Sequence, residues 1–438
     1  DTLWGRGGNN TLIGGLNGYQ IVLGAIVLGT TYSFALEGKT VSYIATAEDT
    51  KASVLKALEN NFNANNITNS YIVNDGEKLY IETNSIISSN TNLTASPETF
   101  IDIVDYSSNP YNGIKVDLTK TVEQVYDNGN GGRDTLVGIE QIKGSNYADT
   151  FIGSMSNDTI YGGLGNDTFR GLGGDDTFYG EGGDDLFISS YNDGNNTYYG
   201  GTTDEINGDT VDYSGITDSQ YKVIGDLSSS TISVYNSSNV PQKTDTIYDI
   251  ENLTGGSGDD TLIGSSAQNT IYGGLGADVI YGISGDNKLY GEEGNDTISG
   301  GSGNNTIDGG DGSDTVTYSG ADYVTVTLRG AINGVGNSTY GGTNYLDKLI
   351  SIENVMGSAG NDTIQGNEEN NTLDGSTGNN TISYSGALGS VSVDLGLQGQ
   401  SQNTIADGVD YLLNFQNLIG SSYSDTLKGD ANTNIING

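Results

Sequence analysis

A single apolar residue returns every nine positions through two stretches of the chain: Ile160, Phe169, Phe178 and Phe187 in the first, then Leu262, Ile271, Ile280, Leu289, Ile298, Ile307 and Val316 in the second. Its neighbours are polar or variable, and glycines fill much of the interval. Successive side chains of a strand point to opposite faces, so this pattern predicts very short strands, each with one residue facing inward, separated by tight turns.

Longer alternating runs lie outside these stretches. VTVTL at Val324 and VSVDL at Val391 are strand signals bounded by turn residues. They belong to a unit that occurs four times, opening VDYSSNPYNGIKVDL at Val104, VDYSG at Val211, VTYSGADYVTVTL at Val316 and ISYSGALGSVSVDL at Ile382. The copies close on Ile139-EQIKGS, Ile250-ENLTGGS, Ile352-ENVMGS and Phe415-QNLIGS. These connectors are expected to add wider turns to the stack of short strands without breaking it. Glu140, Glu251 and Glu353 in the closing segments read as half-buried residues bonded to backbone, because Gln416 takes that place in the fourth copy; extra metal ligands are the alternative.

Residues 16–101 follow a different rule. TTYSFALEGKTVSYIATAED alternates as a hairpin, Asp49 can cap a helix through KASVLKALENNFNA, and SYIVNDGEKLYIET reads as a second hairpin. Val54, Leu55, Leu58 and Phe62 form the apolar face of that helix. The run Ile21 to Leu28 is too short to cross a bilayer and reads as a strand. The expected organisation is therefore a repeat start at 1–15, an inserted ββαββ-like domain at 16–101, and connector-plus-repeat modules at 102–208, 209–313, 314–380 and 381–438. The insert resembles small accessory domains of hook, tail and surface-layer proteins.

Aligned on the acidic position, the repeats read Gly153-SMSNDTIY, Gly162-GLGNDTFR, Gly171-LGGDDTFY and Gly180-EGGDDLFI, then Gly255-GSGDDTLI through Gly309-GDGSDTVT, with shorter runs from Gly357 and Gly420. Glycines at positions one, two and four permit φ > 0 and close backbone approach, so carbonyls can turn toward one point. With a carboxylate at position six they offer the oxygen shell that calcium takes in flexible geometry, where magnesium demands a stiffer octahedron.

This G-G-x-G-x-D-x-U-x pattern resembles the calcium-binding nonapeptide of the RTX (repeats-in-toxin) family. The resemblance implies an all-β parallel β-roll or β-solenoid, with two nonapeptides per turn and ions between successive turns along each edge. It also implies secretion by a type I system, folding in extracellular calcium, and metal ligands at Asp149, Asp158, Asp167, Asp176, Asp185, Asp260, Asp278, Asp296, Asp314, Asp362 and Asp425. The connectors are similar to segments joining repeat blocks in large secreted and surface-layer RTX proteins. Extracellular calcium modules bind at about 10⁻⁴ to 10⁻³ M, which makes calcium a folding switch across the envelope.

Position six of the second block alternates strictly: Asp260, Asn269, Asp278, Asn287, Asp296, Asn305, Asp314. At two repeats per turn the aspartates share one edge and the asparagines the other, which predicts a calcium row opposite an amide ladder. The first block carries aspartate at each such position, so both of its edges are expected to hold ions. At position nine Tyr161, Tyr179, Tyr272, Tyr281 and Tyr290 face outward, and Tyr272 should stack on Tyr290 a full turn away.

Composition narrows the function. The 438 residues hold 56 acidic and 16 basic side chains, for a net charge of −40, with neither histidine nor cysteine. Serine and cysteine triads and HExxH zinc sites are excluded. Such acidity repels nucleic acid and anionic membrane, and it repels itself unless cations are supplied. Low hydrophobicity with high charge also marks disordered chains, against which the fixed phase of the apolar residues argues. The sequence reading is a non-enzymatic extracellular or cell-surface protein that self-associates, head to tail or laterally, into a surface layer, sheath or filament. Asp1 falls at position six of one repeat and Gly438 at position one of another, which suits stacking on a neighbour or continuation in a longer chain. An adhesin contacting cell-surface polysaccharide is the alternative, with 16–101 as its recognition domain. An ice-binding ladder is disfavoured because position three varies.

Overall fold

The computed structural model describes strands between residues 2 and 98, helical residues Ser53, Val54, Lys56, Ala57 and Leu58, and residues 103–438 apart from 110, 138 and 330–333. It is an all-β fold of the parallel β-roll type, and the chain divides into two units: residues 1–150 with 159–161, and residues 151–158 with 162–438.

In the first unit, strands from either side of the expected insert pair with each other. Thr2–Leu3 lies parallel to Ile103–Asp105, and Asn10–Ile13 lies parallel to Asp134–Val137. The segment between them is antiparallel. Thr31–Leu36 pairs with Lys39–Ile44, and Ser70–Asn74 with Lys78–Thr83. The two hairpins lie in separate sheets, the second joined by Gly18–Leu23, which is flanked on its other edge by Leu93–Glu98. Val54 and Leu58 are fully buried. Asp49, Leu55, Phe62 and residues 24–28 of the apolar run lie outside the described residues.

In the second unit, nonapeptides become strands of three residues, such as Thr168–Arg170 and Val279–Tyr281, or of six, such as Thr270–Leu275 and Lys288–Glu293. Residues eighteen apart pair in parallel: Thr168 with Leu186, Thr261 with Val279, Thr270 with Lys288. Two repeats thus make one turn, and alternate repeats fall in opposite sheets. The position-eight side chains form the core. Phe169, Phe187, Leu262, Ile271, Ile280, Leu289, Ile298 and Ile307 are 0% exposed, each burial contributing about 1.5–3 kcal/mol. Phe169 stacks on Phe151 and Phe187 at centroid distances of 5.2 and 5.0 Å.

The connectors leave this stack and return to it. Tyr221–Asp226, Thr231–Asn236 and Pro241–Tyr248 form an antiparallel meander. Its first strand then pairs in parallel with Thr261–Ile263, and its last with Thr197–Thr203. Tyr323–Thr327, Gly334–Tyr340 and Thr343–Ile350 repeat the arrangement on the opposite sheet.

Candidate metal centre

The turns before each strand bring main chain of successive coils into contact. A Cβ on position-four Gly294 would stand 1.5 Å from the Gly276 carbonyl oxygen, and Gly294 has φ 152°. Position two is left-handed in several loops, with or without glycine: Gly274 has φ 109°, and Leu172, Ile283 and Glu292 have φ 78°, 71° and 75°. Position one needs glycine for a reason other than φ. A Cβ on Gly273 would lie 2.3 Å from Asp278 Oδ2 and 2.7 Å from the Gly291 carbonyl; on Gly291, 2.2 Å from Asp296 Oδ2 and 2.4 Å from the Gly309 carbonyl. The first glycine makes room for the carboxylate of its own repeat.

Position-six side chains form a buried ladder along each edge. The Asp260 amide donates to Asp278 Oδ1, Asp278 to Asp296 and Asp296 to Asp314, each at 2.8 Å. In the first block Asp158 donates to Asp176 Oδ1 at 2.8 Å, on one sheet's edge, and Asp167 donates to Asp185 Oδ1 at 2.7 Å on the other. This leaves the second oxygen. Oδ2 of Asp176, Asp185, Asp278, Asp296 and Asp314 is buried and accepts no hydrogen bond. For Asp185, Asp278, Asp296 and Asp314 it lies against the same glycine face as a carbonyl from the next turn, so two acceptors converge with no donor between them. Desolvation by burial pushes Asp176 and Asp185 up to about 7 and Asp278 to about 8, with neighbouring carboxylates adding to it.

The eleven expected ligands therefore divide. In Asp158, Asp260, Asp362 and Asp425, the position-two amide of the same loop donates to Oδ2 at 2.6–2.7 Å, from Ser154, Gly256, Ser358 and Ser421. Asp149 is held likewise by the amides of Ser145 and Ile114, both at 2.6 Å. These loops already have N–H groups where the others have none. Asp167 sits in one row with Asp185.

The asparagines complete a different ladder. Asn269 donates its amide N–H to Asn287 Oδ1 at 2.9 Å, and Asn287 to Asn305 at 3.1 Å. The Asn287 side-chain NH₂ then donates to the Gly300 carbonyl at 3.3 Å and the Ser284 carbonyl at 3.2 Å. Gly300 holds the position that Gly291 holds beside Asp278. The amide thus supplies internally the donor that the aspartate loop lacks.

Sequence reasoning missed two further sets of residues. Position five carries a second, exposed ladder running the opposite way: Asp175 donates to Asn157 Oδ1, Ala277 to Asp259 and Asn304 to Asp286, at 2.8–2.9 Å. Its signal was the frequency of Asn and Asp at that position. In the connectors, Asp134, Asp245, Asp347 and Asp410 stand five residues before the closing Ile or Phe, in D-x-Leu/Ile segments of which only that of Asp245 lacks glycine altogether. The last three extend the buried ladder, Asn196 donating to Asp245 at 2.7 Å, Asn305 to Asp347 at 3.0 Å and Asn371 to Asp410 at 3.2 Å. Buried connector tyrosines face these acids. Tyr106 donates to Asp134 at 2.8 Å, Tyr213 to Asp245 at 2.5 Å and Tyr384 to Asp410 at 3.1 Å. Tyr318 lies beside Asp347, whose charge adds to burial in pushing the phenol up. Glu251 and Glu353 accept the amides of Asp209 and Asp314 at 2.9 and 2.8 Å, and Gln416 accepts that of Asn380 at 2.7 Å, while Glu140 is exposed.

A family model described as the RTX calcium-binding nonapeptide repeat matches residues 1–18, 137–169, 161–189, 254–282, 281–316, 351–383 and 416–438. The chain carries the repeats of the RTX family. Calcium is accordingly its metal, and the chemistry of the RTX loops fits it: buried, uncompensated carboxylate oxygens grouped with backbone carbonyls are the hard oxygen donors that this ion takes. No curated protein matches the chain. Among the described residues, no helix is long and apolar enough to cross a membrane.

Proposed function

We propose that this RTX chain is an extracellular structural protein whose coils are locked by calcium and which assembles with further copies into a surface layer, sheath or filament. The observation that carries the reading is the buried Oδ2 of each of Asp176, Asp185, Asp278, Asp296 and Asp314, every one without a hydrogen-bond donor. Five uncompensated buried carboxylates would oppose folding, since a charge taken out of water without a partner is costly. A divalent ion between turns reverses that sign and fastens adjacent coils together.

On this reading ions occupy the aspartate edge of the second block and leave the Asn269–Asn287–Asn305 edge to its amides. In the first block both edges take ions. Asp149, Asp158, Asp260, Asp362 and Asp425 act as amide-saturated ends of rows. Stacked tyrosines, Tyr179–Tyr199–Tyr248 and Tyr272–Tyr290, all at 4.6 Å, support a lateral contact role. The buried tyrosine–aspartate pairs and repeat loops serve stacking, which favours a structural role over a catalytic one. Secretion through a type I system fits a chain whose fold waits for external calcium.

Circular dichroism and solution scattering with and without a chelator test the proposal. Chelation should remove much of the β signal and expand the particle, and calcium should restore both and promote assembly visible by electron microscopy. Unchanged spectra and dimensions in chelator would refute the calcium lock.

A further inference from the structure

Beyond the repeat loops, we propose a separate divalent-cation site, of calcium type, formed by Glu205, Asp209 and Glu251 where the first repeat block passes into the second connector. The proposal rests on the calcium reading above but concerns side chains outside the nonapeptide. One carboxylate oxygen from each of the three lies within 4.8 Å of the other two. Calcium–oxygen distances are about 2.3–2.6 Å, so oxygens on opposite sides of one ion stand about 4.8 Å apart.

Proximity alone does not make a site, and two further observations do. Asp209 is 0% exposed, and its Oδ2 has no hydrogen-bond partner, while Oδ1 accepts the Asp185 amide at 2.7 Å. Glu205 Oε1 is likewise buried and without a donor. No lysine or arginine pairs with any of the three among the described residues. Two buried acceptors therefore lie beside a third carboxylate with no positive charge supplied by the protein.

The local chain is built to hold this arrangement. Ordinary rungs of the ladder join residues eighteen apart, whereas Asp185 to Asp209 spans 24 and Asp209 to Glu251 spans 42. The six extra residues of the first span form a loop that brings in Glu205. Asp184 Oδ1 accepts the amides of Ile206, Asn207 and Gly208 at 2.7, 3.0 and 3.2 Å, which fixes the loop immediately after Glu205. Glu251 arrives on the closing segment, whose strand Asn252–Thr254 pairs in parallel with Thr210–Asp212. Glu251 Oε2 accepts the Asp209 amide at 2.9 Å.

The same junction occurs twice more and supplies internal controls. Asp314 and Glu353 repeat the Asp209–Glu251 contact without an inserted glutamate, and Asn380 and Gln416 repeat it without any charge. The third carboxylate is thus an addition at one junction only. An ion there would fasten the point at which the coil changes length.

Calcium-edge anomalous scattering from crystals of the full chain in calcium, together with native mass spectrometry, tests this. The expected map has a peak about 2.3–2.6 Å from Asp209 Oδ2, and Glu205→Gln should remove that peak and lower the bound count by one while the peaks along Asp278–Asp296–Asp314 remain. Glu353→Gln should leave the count unchanged. Filled repeat rows with no density at the trio, or a trio peak indifferent to Glu205→Gln, would overturn the site alone. Empty rows and an empty trio would overturn the calcium reading with it.

Discussion

Aspartate and asparagine at position six have the same shape, and both use Oδ1 to accept an amide from the coil below. They differ in the second atom. Asn287 Nδ2 donates to the Gly300 carbonyl, whereas Asp278 Oδ2 sits beside the Gly291 carbonyl as another acceptor. An unsatisfied buried group costs about 1–3 kcal/mol. Asp278→Asn should therefore raise the melting temperature in chelator, by an amount equivalent to about 1–3 kcal/mol, and lower the number of calcium ions bound in saturating calcium. A variant that loses stability in chelator would show that the carboxylate is already satisfied without metal. The alternation that defines the two edges was legible in the sequence, because it depends only on residue identity and period. The reason for the first glycine was not: its φ is ordinary, and only the folded chain places Asp278 Oδ2 where a Cβ would go.

Repeat strands were readable because their apolar residue keeps one phase, and the connectors were only partly so. VTVTL announces Tyr323–Thr327, but nothing periodic announces Leu93–Glu98 or the role of Asp245, whose segment lacks the glycines that mark a repeat. The connectors also solve the charge problem without metal. Lys243 Nζ, 1% exposed, contacts Asp193 Oδ1, lies 3.0 Å from Asp245 Oδ2 and donates to Ser189 Oγ at 2.7 Å. Arg329 contacts Asp407 and lies 3.2 Å from Glu368. A tethered ammonium does in the second connector what a free cation does in the repeats. Removing one partner of a buried pair costs about 3–5 kcal/mol, since the other charge is left alone. Lys243→Met should lose about that much in urea unfolding at saturating calcium, with the transition of the connector affected first by hydrogen exchange. A loss below about 1 kcal/mol would mean that water already reaches these acids.

At the scale of the whole molecule, a net charge of −40 and buried carboxylates together set how stability varies with pH. Desolvation raises Asp176, Asp185 and Asp260 to about 7 and Asp209 and Asp278 to about 8 in the metal-free fold, against 3.8 for an aspartate carboxyl in water. Between these limits the folded chain binds more protons than the unfolded one, so stability falls as pH rises from about 4 toward 8 and levels off above the folded values. Each such group contributes up to about 1.4 kcal/mol per pH unit. Surface repulsion acts in the same direction, because raising the pH adds negative charge to a chain that is already strongly acidic. Calcium inverts the slope: an ion favours the ionised ligand, so binding at pH 7 should release protons, and the loaded protein should lose stability as pH falls and protons compete for the same oxygens. Thermal melts in chelator should be highest near pH 4 and lowest near pH 8, and melts in excess calcium should run the other way. Parallel pH profiles in the two buffers would mean that the titrating carboxylates are not the groups that hold the metal.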